Sequence, residues 1–322
     1  MLKKNKRGIQ VSFAWIFAII AGVFIIFLAI YGTTKVVDTG GRVTSAKASK
    51  EIGVLLNPLE TGFGESATNL LTMPVETRIH NRCSSSGNFG AQTIQISQKS
   101  FGKWSPTGLG SNFENKYLFS EGEVEGKDFF LFSKSFNFPF KVADLIYVTS
   151  ARENYCFVNP PEDISQELSD LNQENIFTES CPTGSIRVCF DSLQDNLGQC
   201  DVEVRTNRKE VEKKLLDPAG GTRVGGEVVY FETDALMYAA IFSNHDIYEC
   251  QVQRLMKRTD AILTLYDGKN DLISGQGCED EVDLLSFKNS AGNFLSSEDI
   301  FQLASEADSI KKENDRARCQ LW

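Results

Sequence analysis

A charge-free run near the N-terminus constrains this chain more than any other feature. Four of the first seven residues are basic, and no charged residue then occurs from Gly8 to Thr34. A helix rises about 1.5 Å per residue, so this run is long enough to cross a hydrocarbon layer of about 30 Å. It is too long for the apolar region of an ordinary secretory signal, and no A-x-A-type site follows it closely. We therefore expect a cytoplasmic basic segment and one transmembrane helix within residues 1–34.

The cysteines indicate the compartment of the remaining chain. The sequence has eight, and all of them follow the apolar run: Cys83, Cys156, Cys181, Cys189, Cys200, Cys250, Cys278 and Cys319. An even number in loop-rich sequence is typical of an oxidising compartment. The alternatives are free core thiols and zinc, but zinc sites favour close C-x-x-C pairs, which the chain lacks. We expect disulfides, a cytoplasmic N-terminus, an extracellular C-terminal domain and no metal or cofactor.

Charge argues against one class of partner. The formal net charge is −10, and four basic residues precede the apolar run, so the remainder carries −14. Phosphate backbones are bound by basic surfaces. We therefore expect no nucleic-acid partner.

The apolar run has two different faces when it is drawn as a helix. Ala14, Ala18 and Gly22 form a small-x-x-x-small ridge, and phenylalanines lie on another face. Small residues let a second helix approach closely in lipid, where hydrophobicity gives no driving force between helices. This ridge predicts a homo- or hetero-oligomer formed through the membrane helix.

The segment at residues 6–13 (KRGIQVSF) followed by the apolar helix resembles the class III signal of archaeal type IV pilin-like proteins. In that family a membrane peptidase cuts after the glycine, and the apolar helix later packs in a filament core. The resemblance implies cleavage after Gly8, which would leave Ile9 as the new N-terminus. Many members carry Glu five residues after the cut, where this chain has Phe13. Through stretches such as Tyr248-Glu249-Cys250 and Cys319-Gln320-Leu321-Trp322, the C-terminal part is also similar to uncharacterised single-span archaeal surface proteins.

The expected fold class is α+β, with an antiparallel β-sheet and disulfides bracing the exterior domain. Four parts are expected: residues 1–34 as described, 35–60 as a helical stalk or flexible tether, 61–233 as a mainly β exterior domain, and 234–322 as a mainly helical C-terminal part. Residues 92–96 and 145–148 are predicted strands, and Pro139 marks an edge strand or a strand end. Trp104 is interpreted as a half-buried cover for the core, with an exposed ligand platform as the alternative.

Two further segments are interpreted as turns and one pair as a hairpin. Residues 186–190 and 202–204 are predicted to form an antiparallel hairpin closed by Cys189–Cys200. Residues 220–226 form a glycine-rich turn, because they lack the ending of a phosphate loop and lead into a strand. Residues 267–271 are also predicted to be a turn.

Three C-terminal helices are predicted. The first is capped by Asp234 and ends at residue 242, the second begins in the segment 243–246 and ends at about residue 266, and the third begins at residue 297. Basic residues of the second helix are assigned to its solvated face: Arg254, Lys257 and Arg258. If the helices run up, down and up, Cys278 pairs with Cys319, since disulfides need Cα atoms within about 7 Å. Cys250 then pairs with Cys83, Cys156 or Cys181.

Sequence motifs for catalysis are absent. The chain has two histidines, His80 and His245, so a histidine-based triad or zinc site has few ways to form. We therefore expect that the protein is not an enzyme. The leading hypothesis is a pilin-like subunit of a surface filament, and the alternative is a permanently anchored surface binding or adhesion protein. An anchored exterior enzyme is a third hypothesis.

Overall fold

The structure, a computed structural model, describes residues 13–32, 66–100, 102–178, 180–191, 200–216, 223–278 and 282–322. The predicted stalk at 35–60 and the predicted processing site lie outside these residues. The apolar run forms one helix, α1 (Phe13–Gly32). From Ser66 the chain is an α+β structure with two sheets and a helical C-terminal part.

The first sheet has seven strands: β1 (Ser66–Ser84), β2 (Ala91–Ser100), β3 (Lys103–Trp104), β4 (Ser111–Phe113), β5 (Tyr117–Phe119), β6 (Glu123–Asn137) and β7 (Lys141–Ser150). Its order is β3-β2-β1-β6-β7-β5, and β4 also pairs with β2. β2 and β7 confirm the two strands predicted here. Pro139 lies between the end of β6 at Asn137 and the start of β7 at Lys141, so the predicted strand end is confirmed.

The second sheet has six strands: β8 (Tyr155–Val158), β9 (Ile176–Phe177), β10 (Ile186–Phe190), β11 (Val202–Arg205), β12 (Glu210–Leu216) and β13 (Arg223–Tyr230). Its order is β13-β12-β11-β10-β8-β9. Both sheets are mixed, so the expected antiparallel pairing is found for some strand pairs and not for others. β5 runs parallel to β7, and four strands of the second sheet are parallel to one another.

The predicted hairpin is also wrong, because β10 and β11 pair in parallel with Val188 opposite Val202. The segment between Phe190 and Val202 holds eleven residues. At about 3.3 Å per residue it is long enough to return along a five-residue strand. The hydrophobic alternation of the two strands is the same in either direction, so the pattern could not distinguish them.

In the described part of the chain, five helices follow or interrupt the strands: α2 (Glu162–Asp170), α3 (Asp234–Phe242), α4 (His245–Ser274), α5 (Leu285–Gly292) and α6 (Ile300–Arg316). The bounds of α3 agree with the prediction, but its N-cap is Thr233, whose side chain accepts from the Leu236 N–H. α6 is preceded by a 3-10 turn at Ser297–Asp299.

α4 is longer than predicted, and the expected turn at 267–271 is helical. Gly268 lowers the stability of a helix by about 1 kcal/mol relative to alanine, but neighbouring residues make tertiary contacts. Asn270 donates to the Val282 carbonyl, and Lys269 donates to the Leu321 carbonyl. These contacts stabilise the last turns of the helix, which local sequence alone disfavours.

Two hydrophobic cores form on opposite faces of the first sheet. Tyr147 on β7 faces the larger core, which α3, α4 and the second sheet share, while Ile146 faces a smaller one. Asn81 and Gln92, near one end of the strand order, donate to the Leu118 carbonyl at the other end. The first sheet therefore curls around its smaller core. The larger core includes residues from both predicted exterior parts, so they pack as one body.

The glycine-rich segment at 220–226 falls partly outside the described residues, but Gly225 and Gly226 lie in β13 and not in a turn. A Cβ at Gly226 would lie 1.5 Å from the Lys213 carbonyl oxygen, whereas one at Gly225 would lie 3.4 Å from the nearest Glu212 oxygen. Gly226 is therefore required by a close backbone approach.

Replacing Gly226 with Ala is expected to lower the free energy of unfolding by about 1–3 kcal/mol, because the strand pair must separate. Gly225→Ala is the matched control and is expected to change it by less than about 0.5 kcal/mol. Urea unfolding of both variants measures the difference. Equal midpoints would contradict the close approach.

Candidate functional site

α1 carries the predicted packing ridge on a surface that no other described residue covers. Ala14, Ala18 and Gly22 are each separated by one helical turn, and a Cβ added at Gly22 would meet nothing within 4 Å. The length and composition of α1 suit a membrane anchor or a signal sequence. The predicted processing residues Gly8 and Ile9 lie outside the described part of the chain.

All eight cysteines form four disulfides. The predicted Cys189–Cys200 and Cys278–Cys319 pairs are confirmed, with Cα atoms 5.9 and 6.0 Å apart. The other pairs are Cys83–Cys250 and Cys156–Cys181. Cys83–Cys250 joins the end of β1 to the first turns of α4, so it fixes the helix against the first sheet. Four disulfides are consistent with an extracellular domain.

A second attachment of α4 to the first sheet, which the sequence did not predict, is made by Arg254. Arg254 was assigned to a solvated face but is 0 % exposed. Its guanidinium donates to five oxygens at 2.6–3.2 Å: four backbone carbonyls, those of Phe89, Phe113, Glu114 and Lys116, and the side chain of Gln251. It also lies 4.9 Å from the Tyr117 ring centroid. Burial lowers the pKa of Arg254.

The neighbouring basic residues are also not a solvated face. Lys257 donates to the Ser85 and Gly87 carbonyls, and Arg258 donates to the Val142 carbonyl. All three side chains therefore bind backbone oxygens of the first sheet and its loops. The sequence could not predict the burial of these basic side chains, because their acceptors are backbone atoms that only the fold brings close.

A line of three side chains in contact crosses three adjacent strands: Ser97, His80 and Glu123. The His80 Nε2 atom lies 3.1 Å from the Ser97 Oγ atom, and its Nδ1 atom lies 3.3 Å from a Glu123 oxygen. This is the order of contacts in a serine–histidine–acid triad, which the distant sequence positions did not reveal. However, Ser97 lies inside β2 and is 3 % exposed, so its hydroxyl is not presented to a substrate. We assign this line to the packing of the sheet.

His80 should make stability depend on pH. Burial lowers the pKa of His80 from about 6.5, and the charges of Arg82 and Arg78 act in the same direction against that of Glu123. The unfolded chain therefore binds the proton more readily than the folded one. The contribution of His80 to the free energy of unfolding decreases as pH falls through about 6.5.

The variant His80→Asn is expected to lose less stability than the unchanged protein between about pH 7.5 and about pH 5.5. Urea midpoints at both values measure this, and the carboxyl groups that both proteins share cancel in the comparison. An unchanged pH dependence in the variant would contradict the inference.

A concave space of about 250 Å³ lies between the β12–β13 pair and the corner where α3 turns into α4; we call it the corner cleft. Its base is apolar, because Val211 and Val229 stand opposite each other on the two strands. Ala240 and Tyr248 complete the base, and all four residues are at most 5 % exposed.

The mouth of the corner cleft carries charges of both signs. The Lys213 ammonium lies 2.7 Å from a Glu121 oxygen, and Glu227 stands opposite Lys213 in the strand register. His245, the first residue of α4, also lines the cleft. In the described part of the chain, no group of three or more His, Cys, Asp or Glu residues is arranged to hold a metal ion.

The chain matches no protein-family model, no curated protein and no solved structure.

Proposed function

We propose that this chain is a membrane-anchored surface protein whose C-terminal domain lies outside the cell. The observation that carries the proposal is the exposure of α1. Its fourteen large hydrophobic side chains, from Phe13 to Tyr31, are each at least 45 % exposed. Burying one such side chain contributes about 1.5–3 kcal/mol, so this helix gains a large free energy from leaving water. Lipid or other apolar helices supply that environment.

The disulfides support the orientation. The described cysteines lie after α1 and are all paired, which fits an oxidising exterior, while the basic cluster at residues 3–7 fits the cytoplasmic side. In this orientation α1 spans the membrane once, and the body from Ser66 onward faces outward.

The finer proposal is a pilin-like subunit that acts by assembly and not by covalent chemistry. The ridge of Ala14, Ala18 and Gly22 on α1 supports helix–helix contact, and the segment around Gly8 supports processing. The alternative is a permanently anchored binding or adhesion protein, which keeps the N-terminal segment and does not polymerise.

The test of the anchor and of its processing is mass spectrometry of the N-terminus of the native protein. A chain beginning at Ile9 supports the pilin-like proposal, and Gly8→Val should then abolish that cleavage. An uncut N-terminus favours the permanent anchor. A cut beyond Gly32, which removes α1, would show that the helix is a signal sequence and would refute both.

Assembly is tested by cross-linking in membranes. The double variant Ala18→Leu, Gly22→Leu should cross-link less, because the added side chains hold the helices apart. The matched control is Phe17→Leu, Phe24→Leu, which changes the phenylalanine face and leaves the ridge intact. Unchanged cross-linking by the ridge variant would remove the argument for the ridge.

A further inference from the structure

We infer that the corner cleft binds a small amphipathic zwitterion, of which an aliphatic α-amino acid is the simplest case. This inference goes beyond anchoring and does not depend on it, since every residue used lies in the folded body. It follows from the size of the cleft, its apolar base and the charges at its mouth.

The size restricts the ligand. The cleft volume of about 250 Å³ lies below the range of about 300–1,000 Å³ that is typical of drug-sized ligands. A molecule smaller than such ligands, for example leucine with about nine non-hydrogen atoms, is therefore the size that we expect.

The base selects an apolar body. Val211, Val229, Ala240 and Tyr248 present carbon atoms to the cleft, and the Tyr248 hydroxyl is already donated to the Tyr230 carbonyl. A branched aliphatic side chain placed there leaves water without losing hydrogen bonds.

The mouth selects a head group with both charges. The Lys213 ammonium has three N–H donors and gives one to Glu121, so two remain for a ligand carboxylate. Glu227 is exposed and has no ion-pair partner among the described residues, so its carboxylate can accept a ligand ammonium. Lys213 and Glu227 are directly opposite across the strand pair, so their side chains start from Cβ atoms about 5 Å apart and can reach the two charges of one amino-acid head group.

A ligand with a single charge fits less well. A carboxylate without an ammonium would leave Glu227 unpaired and would lie near two carboxylates, those of Glu121 and Glu227. An ammonium without a carboxylate would be repelled by Lys213. Like-charge contacts of this kind reduce affinity and therefore give selectivity.

The experiment is calorimetric titration of the full-length protein in detergent micelles with three matched compounds. L-Leucine has both charges, 4-methylpentanoate lacks the ammonium, and 3-methylbutylamine lacks the carboxylate. Leucine is expected to bind with a Kd below about 1 mM, and each analogue at least about tenfold more weakly. No saturable binding of leucine up to about 10 mM, or equal binding of an analogue, would overturn the inference.

A variant tests the assigned contact. Glu227→Gln is expected to weaken leucine binding about tenfold, toward the affinity of 4-methylpentanoate, because only the ammonium loses its partner. Glu174→Gln, another exposed glutamate outside the cleft, is the control and should change nothing. Since Glu227 is exposed, unchanged unfolding midpoints are expected for both variants. Leucine binding that is unaffected by Glu227→Gln would show that the head group is not bound at the mouth.

Discussion

Replacing both Cys83 and Cys250 with alanine is expected to lower the free energy of unfolding by about 5 kcal/mol. The two residues are 167 positions apart, so their bond closes the longest loop among the four disulfides. In the chain-entropy model the stabilisation grows with the logarithm of loop length. Two shorter disulfides lie inside this loop and shorten its effective path, but a logarithm depends weakly on that change.

The matched comparison is the double alanine variant at Cys189 and Cys200. These residues are 11 positions apart, and the same model gives about 3 kcal/mol. Urea unfolding of both variants under oxidising conditions measures the difference. A Cys83–Cys250 variant that is no less stable than the Cys189–Cys200 variant would show that the fastening of α4 to the first sheet contributes little.

Replacing Arg254 with Met is expected to lower the free energy of unfolding by about 3–5 kcal/mol. Met fills much of the same volume but donates nothing, so four carbonyls and the Gln251 side chain lose their donor. Each buried acceptor left without a partner costs about 1–3 kcal/mol, and partial relaxation reduces the sum.

The control is Arg258→Met, one turn further along α4. Arg258 is half-buried and donates one bond of 2.7 Å to the Val142 carbonyl, so a loss of about 1 kcal/mol is expected. Urea midpoints of the two variants give the comparison. A loss for Arg254→Met that does not exceed that for Arg258→Met would contradict the assignment of Arg254 as a central support of α4.

Both predictions concern the same region of the fold. Cys250 and Arg254 are one turn apart on α4, and their partners lie at the end of β1 and in the segments around residues 89 and 113–116. Gly90 takes a φ of +62° here, and a Cβ at that position would lie 2.9 Å from the Arg254 Cγ atom. The helix thus supplies hydrogen-bond donors to backbone oxygens at a strand end and in loops of the first sheet.

Sequence by itself determined the features whose cause is local. The apolar run specifies α1, because its twenty residues carry no charge and contain no proline. Alternating apolar residues located β2, and a continuous apolar run located β7. Spacing at period 3.6 located α6, whose predicted apolar positions are all buried: Ile300, Leu303, Ala307 and Ile310. The Cys278–Cys319 pair, predicted on the assumption that the helices run up, down and up, is also present.

Only the tertiary structure decided the features that depend on distant partners. Strand alternation is the same for parallel and antiparallel pairing, so the direction of β11 was set by the sheet it joins. The last turns of α4 form because Val282 and Leu321 supply acceptors to them. The neighbouring sequence predicts that Arg254 is a surface residue, because the carbonyls that bind it lie 138–165 positions away in the chain. The same holds for the corner cleft, whose polar residues come from the loop between β5 and β6, from the second sheet and from α4, and no periodicity in the chain brings those three together.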